Sequence, residues 1–589
     1  MSQARALRCV VCSALGALLG VSLLLGGRAW CLAEADGPLV VYVRPDRLHA
    51  EDADGSGGKD RPFLTIDYAI RSVEKLLEGK NHKAVRFELL RGQYRNLEGG
   101  ESFNVFPLVP PVGFDSVEFV ASGGVGSVRI ENVDPNVEVF KIRSEEFEKA
   151  PRFSFSGLQI FGGRQAFTVF DTVSRDAKLR IEDCWIEGQS AHGLEAAPLK
   201  GSLVTIEVKH CVFRRSSEGI YVSSPESAAL SLTVEDCQFH EMRRYSPRKL
   251  LGAGIDLYLE LQSELSVRIE RCIFRGVASA VQVTECASSD AFPVKGGALN
   301  FNFSGNVVNG LPDPAEPLKV QVENGLYLST REFHLNNISI LSNTFVGIHQ
   351  YVIYGDNLEE LVAEGNGLTP YRFTNNICWQ IGGESEFYDE VFKRTHEDRS
   401  IVFPTVDSAI RHNLLEKSSL TTIEGGQNHT GDPRFEAPAA FDFRLTALSD
   451  AIDRGIVADA LEIKTDFAGN CRRMSTVCDT SQSHYRPDLG AYEYPGHCDE
   501  SLVLFVRGDC DSSSGTLEIT DAVTVFSYLF LGKGVPACPD ACDTNDDAVI
   551  NLTDGVYLLN FLFSGGSSPA SPFPQAGSDA GGDCLPDCK

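Results

Sequence analysis

Two stretches near the C-terminus place oxygen-bearing side chains at the spacing a hard cation needs. One reads DCDSSSGTLEITD over 509–521 and runs into AVTVFSYLFLG; the other reads DTNDDAVINLTD over 543–554 and runs into GVYLLNFLFSG. In the second, Asp543, Asn545, Asp547, the carbonyl of Val549 and Asn551 lead to a carboxylate, Asp554, at position 12. Calcium takes six to eight oxygens, and a tight loop of that length can aim them inward. The matching groups of the first loop are Asp509, Asp511, Ser513, Glu518 and Asp521. The chemistry expected here is therefore Ca2+ binding, in duplicate. Thr520, Asp521, Val523, Leu529, Phe530 and Gly532 recur 33 residues later, whereas Asp509 recurs 34 residues later. The first loop thus carries one extra residue within 512–514, and weaker binding is expected there. Ala548 stands in the second loop where a glycine usually makes the sharp turn. The plainer alternative is a pair of acidic surface loops ahead of amphipathic helices. Duplication and ligand spacing argue against it.

The rest of the chain must carry and deliver these loops. It has 589 residues, 43% of them hydrophobic, and a formal net charge of -28. That length suits several domains, or one long solenoid with modules. From Asp499 to Lys589 there are 14 acidic residues against three basic ones. Such a surface repels nucleic acid and anionic lipid. Arg5 and Arg8 precede an apolar run from Val10 to Leu25, and small residues follow at Ala29 and Ala33. This is the order of a secretory signal, assigned to 1–33, with an uncleaved membrane anchor as the alternative. No later stretch is long and apolar enough to span a bilayer. A secreted or cell-surface location follows. Of 17 cysteines, three leave with the signal. The others permit disulfides in an exported chain, with Cys471–Cys478, Cys538–Cys542 and Cys584–Cys588 as local candidates and the pairing open.

Between about 150 and 400 the sequence repeats itself loosely. IEDCWIEG, VKHCVFRR, VEDCQFHE and IERCIFRG place Cys184, Cys211, Cys237 and Cys272 in one slot; later units place Asn306, Asn343 and Asn376 there. Each unit is a short alternating strand, a small residue, another short strand and a variable loop. One unit cannot bury its own face, but stacked units can. The expected architecture is mainly β: a right-handed parallel β-helix over 150–429, ending in a small α-helical module. Stacking at about 4.8 Å would turn the Cys/Asn slot into a ladder. Glu182, Asp183, Lys209, His210, Glu235, Asp236, Glu270 and Arg271 stand just before that slot. Their expected role is a solvated face, with contact to a sugar polymer as the alternative.

Three segments carry family resemblances. Residues 502–566 resemble the dockerin module, a pair of EF-hand-like loop–helix repeats. That resemblance implies calcium in both loops and a cohesin-like or other surface partner. Its partner-reading positions would be Ile519, Thr520, Leu552 and Thr553. Residues 38–95, with Tyr42, Val43, Pro62, Phe63, Thr65, Ile66, Ala69, Ile70, Gly92 and Tyr94, resemble the opening segment of pectin-lyase-like proteins. They imply a cap on the coil, with the first coils running to 149. Asp52, Asp54 and Asp60 of that cap suit a solvated loop better than a further cation site. Residues 430–497, with GDPRF, FDFRLTALSDAIDRG, DFAGNCRR and RPDLGAYEY, resemble the closing segment of secreted, surface-anchored β-helix proteins. In that segment Arg444 or Arg472 is expected to pair with Asp453, Asp488 or Glu493 at the end of the coil. A Cys/Gly/Pro-rich tail covers 567–589.

Such secreted β-helices commonly bind or cleave polysaccharide. The Gly-His-Gly turn and Arg-x-Lys segment of hydrolases with this fold are absent, and Asp432-Pro433-Arg434-Phe435 does not replace the Asp-Pro-His-Glu of epimerases. No catalytic residue is assigned. Two functions stand at this stage. One is a calcium-binding protein that binds, and as an enzyme would degrade, extracellular polysaccharide while tethered by its dockerin-like module. The other is a non-catalytic surface or adhesion scaffold.

Overall fold

The computed structural model describes residues 37–76, 83–96, 104–111, 114–142, 151–170, 177–198, 201–224, 228–242, 252–259, 263–285, 298–312, 322–329, 334–356, 371–382, 387–389, 410–416, 427–456, 463, 465–470, 472, 486–494, 505–511, 516–531, 536, 538–547 and 549–576. The signal segment 1–33, Ser513, Ala548 and Cys471, Cys478, Cys584 and Cys588 lie outside them.

Three sheets of parallel strands wind through the chain. Among the described residues they hold 12, 11 and 9 strands, and consecutive strands of one sheet come from consecutive repeats. A typical coil runs Leu203–Lys209, Val212–Arg214 and Glu218–Ser224, one strand in each sheet. The alternating pattern explains why. Val204, Ile206 and Val208 point inward and are fully buried, while Thr205 and Glu207 alternate with them. A strand that buries every second residue needs neighbours above and below, and the parallel partners supply them. This is the parallel β-helix that the repeats imply.

The corner between the first and second sheets follows one rule. Asp183, His210, Asp236 and Arg271 have φ between 49° and 55°, and the residue after each is the Cys/Asn slot. The left-handed residue turns the chain sharply and aims the slot residue inward. Asn306, Asn343 and Asn376 are fully buried and form the ladder. The Asn306 N–H donates to Asn343 Oδ1 at 2.8 Å, the Asn343 N–H to Asn376 Oδ1 at 2.8 Å, and the Asn376 N–H to Asn413 Oδ1 at 2.8 Å. Asn413 and Asn428 extend the ladder past the repeats visible in sequence. The earlier coils use thiols in the same slot. Cys211 Sγ lies 3.1 Å from the Lys209 carbonyl, and Cys237 Sγ 3.1 Å from that of Glu235. Cys184, Cys211, Cys237, Cys272 and Cys378 are buried and form no disulfide. Burial pushes the Cys184 and Cys237 thiols well above the ordinary range, as befits inert filler.

Phenylalanines stack through the interior. The Phe213 and Phe239 rings lie 5.0 Å apart, and those of Phe239 and Phe274 4.8 Å apart. Each fully buried ring contributes about 1.5–3 kcal/mol. Glycines on the third sheet leave room for them. A Cβ at Gly219 would sit 2.4 Å from the Phe239 ring and 2.6 Å from the Gly254 carbonyl oxygen.

A strand and a helix open the described coil. Leu39–Val43 opens the first sheet, and helix α1, Ile66–Leu76, buries Ile66, Ala69 and Val73. Asp52 accepts the N–H groups of Leu64 and Thr65 and the Thr65 hydroxyl, and Asp54 pairs with Lys75. Both carboxylates therefore serve local structure.

The closing segment is placed differently from the expectation. It does not sit at the end of the coil. Phe435, Phe443, Leu445, Ala451, Leu489 and Ala491 pack on Val307, Val346, Ile377 and Leu414, which face outward from the second sheet. The segment is a strap along that face. Ala491 N–H donates to Thr344 Oγ1 at 2.8 Å, and Ile456 N–H to Asn375 Oδ1 at 2.8 Å. The second sheet is apolar on its outside in these coils, with Val307, Thr344, Ile377 and Leu414 in one register column, so it must be covered.

Beyond it lies a small helical module. Helices α2, Ile519–Leu531, α3, Pro539–Cys542, and α4, Leu552–Ser564, follow in order. A Cβ at Gly555 would meet the Phe526 ring at 2.3 Å, so a glycine is required where α4 approaches α2.

Candidate functional site

Each C-terminal loop ends at the first turn of a helix, and its last carboxylate is drawn inside. Asp521 and Asp554 are buried at 1% and 0% exposure. Asp521 accepts the Asp511 N–H at 3.2 Å and the Glu518 N–H at 2.7 Å. Asp554 accepts the Thr544 N–H at 3.0 Å and the Asn551 N–H at 2.8 Å. The same arrangement thus appears in both repeats. Burial pushes both carboxyls up to about 6, with Asp511 and Asp509 adding repulsion in the first loop and Asp543 in the second.

Three of the expected first-loop residues lie together. Asp509, Asp511 and Asp521 each bring a carboxylate oxygen within 4.8 Å of the others. In the second loop Asp543 Oδ1 and Asn545 Oδ1 both accept the Asp547 N–H, and Asn545 Nδ2 lies 2.9 Å from Asp547 Oδ2. Two expectations shift. Glu518 contributes its backbone N–H and does not join the carboxylate group. Asn551 caps α4, its Oδ1 accepting the Thr553 N–H at 2.7 Å, while its amide donates to the Val549 carbonyl at 3.1 Å. A capping side chain is occupied locally, so its share in ligation would run through water. The donor set is otherwise hard oxygen with clustered negative charge, which fits Ca2+.

Two features escaped the sequence reading. Cys542 bonds to Cys510, with Cα atoms 4.6 Å apart, and not to Cys538. Arg507 is fully buried beside the second loop. Its Nη1 donates to the carbonyls of Asp540 at 3.0 Å and Asp543 at 2.8 Å, and its Nη2 pairs with Asp546 at 2.9 Å. The hint available was a lone arginine in a strongly acidic stretch.

On the solenoid, the charged column of the first corner neutralises itself. Arg180 pairs with Glu182 at 2.9 Å, Lys209 with Glu235 at 2.8 Å, Arg268 with Glu270 at 2.6 Å and Arg271 with Asp236 at 2.8 Å. Glu182, Asp183 and His210 bring one ligand atom each within 4.8 Å. They stand on an open corner where Arg180 already engages Glu182.

The third sheet differs. Its outward register column reads Glu195, Tyr221, Asp256, Gln282, Tyr327 and Tyr354. His192 stacks on Tyr221 with centroids 4.6 Å apart, and its Nδ1 lies 2.9 Å from Glu218 Oε2. Tyr327 and Tyr354 stack at 5.1 Å. Gln165 Nε2 donates to Glu195 Oε2. Burial, then Asp256 and Glu195, pushes the Tyr221 phenol up. Aromatic faces beside oriented carboxylates can hold sugar rings and their hydroxyls. Composition shows neither column. Only the coil register brings residues 26 to 45 positions apart onto one line.

In the strap, Arg472 and Glu493 pair at 3.0 Å with no exposure at all. Glu493 Oε2 accepts the Asp488 N–H, and Asp488 accepts the N–H groups of Asp453 and Tyr494. Arg444 instead pairs with Asp442. These bonds tie separate stretches of the strap to one another, so the network holds structure.

No family model and no curated protein matches the chain. Among solved structures it is similar to pectate lyase Pel9A, at 12% identity and a TM-score of 0.36, over 77% of this chain and 96% of that one. No described helix is long and apolar enough to cross a membrane.

Proposed function

We propose that this is an extracellular, calcium-binding β-helix protein that holds polysaccharide along its solenoid and is tethered through its C-terminal helical module. The observation that carries the reading is the grouping of Asp509, Asp511 and Asp521 in the first loop, with the matching carboxylate of the second loop, Asp554, buried and held by backbone N–H groups in the same way. Carboxylates brought close together repel one another, and a divalent cation between them offsets that cost. Asp509, Asp511 and Asp521 would hold one ion; Asp543, Asn545, Asp547, the Val549 carbonyl and Asp554 the other.

Tethering is supported by matched apolar residues. Ile519 and Leu552 are 54% and 53% exposed, and Phe530 and Phe563 are 66% and 69% exposed. The offset of 33 residues makes the two helices offer the same face twice. An exposed apolar set of this kind suits a protein partner, and a cohesin-like domain is the partner the resemblance implies.

The polymer would lie along the tyrosines of the third sheet, since the strap covers the second sheet and the first corner is ion-paired. The self-neutralised corner also favours the second reading, a non-catalytic scaffold. One screen separates the two. The secreted chain is tested for retention on insoluble polysaccharides, with and without calcium, while new reducing or unsaturated ends are recorded. Retention that falls at least tenfold in Tyr327→Ala/Tyr354→Ala is expected. Failure to retain any polysaccharide would overturn the polymer reading in favour of the scaffold.

A further inference from the structure

We propose that the two cation loops form one coupled binding unit, locked by the Cys510–Cys542 bridge and by Arg507, so that calcium affinity depends on oxidation of that bridge. The proposal rests on the calcium reading above and adds its regulation.

The bridge lies at the start of both loops. Cys510 directly follows Asp509, the first ligand of one loop, and Cys542 directly precedes Asp543, the first ligand of the other. Both cysteines are buried, and with Val525 of α2 they form the module's small core. The Gly508 N–H donates to the Ala541 carbonyl at 2.7 Å, so the backbones also meet beside the bridge. Asp509 and Asp543 are 8% and 0% exposed. Two negative loops are therefore fastened side by side by a covalent bond. Removing the bond frees them to separate, and each then loses the fixed position of its first ligand.

Arg507 completes the lock from outside both loops. Its guanidinium donates to the Asp543 carbonyl and pairs with Asp546, both in the second loop, although Arg507 itself precedes the first. Its own N–H donates to the Pro572 carbonyl at 2.7 Å, and its Nε to the Ser571 carbonyl at 2.9 Å. One side chain thus joins the entry to the first loop, the body of the second and the chain beyond α4. It is a positioning residue, which acts through the Asp540 and Asp543 carbonyls and Asp546. Whatever orders one loop orders the other through these contacts, and such coupling is reciprocal.

The redox step is simple. A dithiol reductant breaks the Cys510–Cys542 bond, two thiols form, and the dithiol becomes its own disulfide. The constraint between cysteines 32 positions apart is lost, and with it part of the folding free energy that metal binding shares. The apparent calcium affinity should fall by about a hundredfold. By reciprocity, bound calcium should slow reduction of the bridge to a similar degree.

The test uses the full secreted chain and calcium chloride in calorimetry. Oxidised wild type is expected to bind two ions cooperatively. Cys510→Ser/Cys542→Ser should bind about a hundredfold more weakly at both loops. This pair is needed because reductant also opens the bridge made by Cys538. Arg507→Gln should separate the loops into independent sites, and Arg507→Lys should fail to restore cooperativity, since an ammonium cannot span the carbonyls and Asp546 together. A second measurement needs no variant: the rate at which Cys510 and Cys542 themselves become alkylated in wild type under a dithiol, followed by peptide mass spectrometry, with and without saturating calcium. Unchanged affinity in the cysteine pair, or a reduction rate indifferent to calcium, would overturn the coupling alone. Absence of calcium binding by oxidised wild type would overturn the calcium reading as well.

Discussion

Asn343 shows how one side chain sustains a coil. Its Oδ1 accepts the Asn306 N–H, and its Nδ2 donates to the Phe303 carbonyl at 2.9 Å and to Asn376 Oδ1 at 3.0 Å. All of these groups are fully buried, so none can turn to water. Asn343→Ala should cost about 2–4 kcal/mol, read from urea unfolding, because unsatisfied buried partners are left on both sides. Asn343→Cys should cost less, since the earlier coils of the same solenoid use cysteine in that slot. Equal costs for the two changes would show that the slot tolerates no thiol. The slot was legible in sequence because its residue type alternates between only two choices. The left-handed residue before it was not, since Asp, His, Arg, Ser and Asn all occupy that place.

At the scale of elements, the strap is the least anticipated part. Its motifs placed Arg472 and the carboxylates together, but nothing in them said which surface they would cover. That surface is decided by Val307, Val346, Ile377 and Leu414, whose outward direction follows only from coil register. Asp488 gives the strap a pH dependence. Burial, aided by Asp453, lifts its carboxyl to about 7 from 3.8, against its backbone donors and Arg472. Between those values the folded strap holds a proton that the unfolded chain does not. Its stability is therefore greatest at the acid end and is lost as pH rises through about 7. Limited proteolysis within 427–494 should be faster at about pH 8 than at about pH 5.5. The buried Glu493 is shifted the same way and acts in the same sense, while Arg472 opposes both. Faster cleavage at the acid end would contradict the linkage. The opening cap, by contrast, was readable outright. The spacing of Ile66, Ala69 and Val73 specifies a helix with one buried face, and α1 is that helix.

For the whole molecule, the stacked core and the cation loops rest on separate physics. The solenoid is held by stacked phenylalanines, parallel ladders and the asparagine column, none of which needs a metal. The module has a core of only a few side chains around the Cys510–Cys542 bridge. Chelation should accordingly melt the module and leave the coil intact, visible as two transitions in calorimetry with only one displaced by EDTA. The loops were legible because ligand spacing is a property of the chain itself. The third-sheet tyrosines were not, because winding alone aligns Tyr221, Tyr327 and Tyr354.

The most direct measurement is the number of calcium ions bound by the oxidised full-length chain, counted by equilibrium dialysis for wild type and for Asp521→Asn/Asp554→Asn. The carboxylate geometry predicts two ions for the wild type and a loss of both in the variant. A wild-type chain that takes up no calcium, or a variant that still binds two, would contradict it.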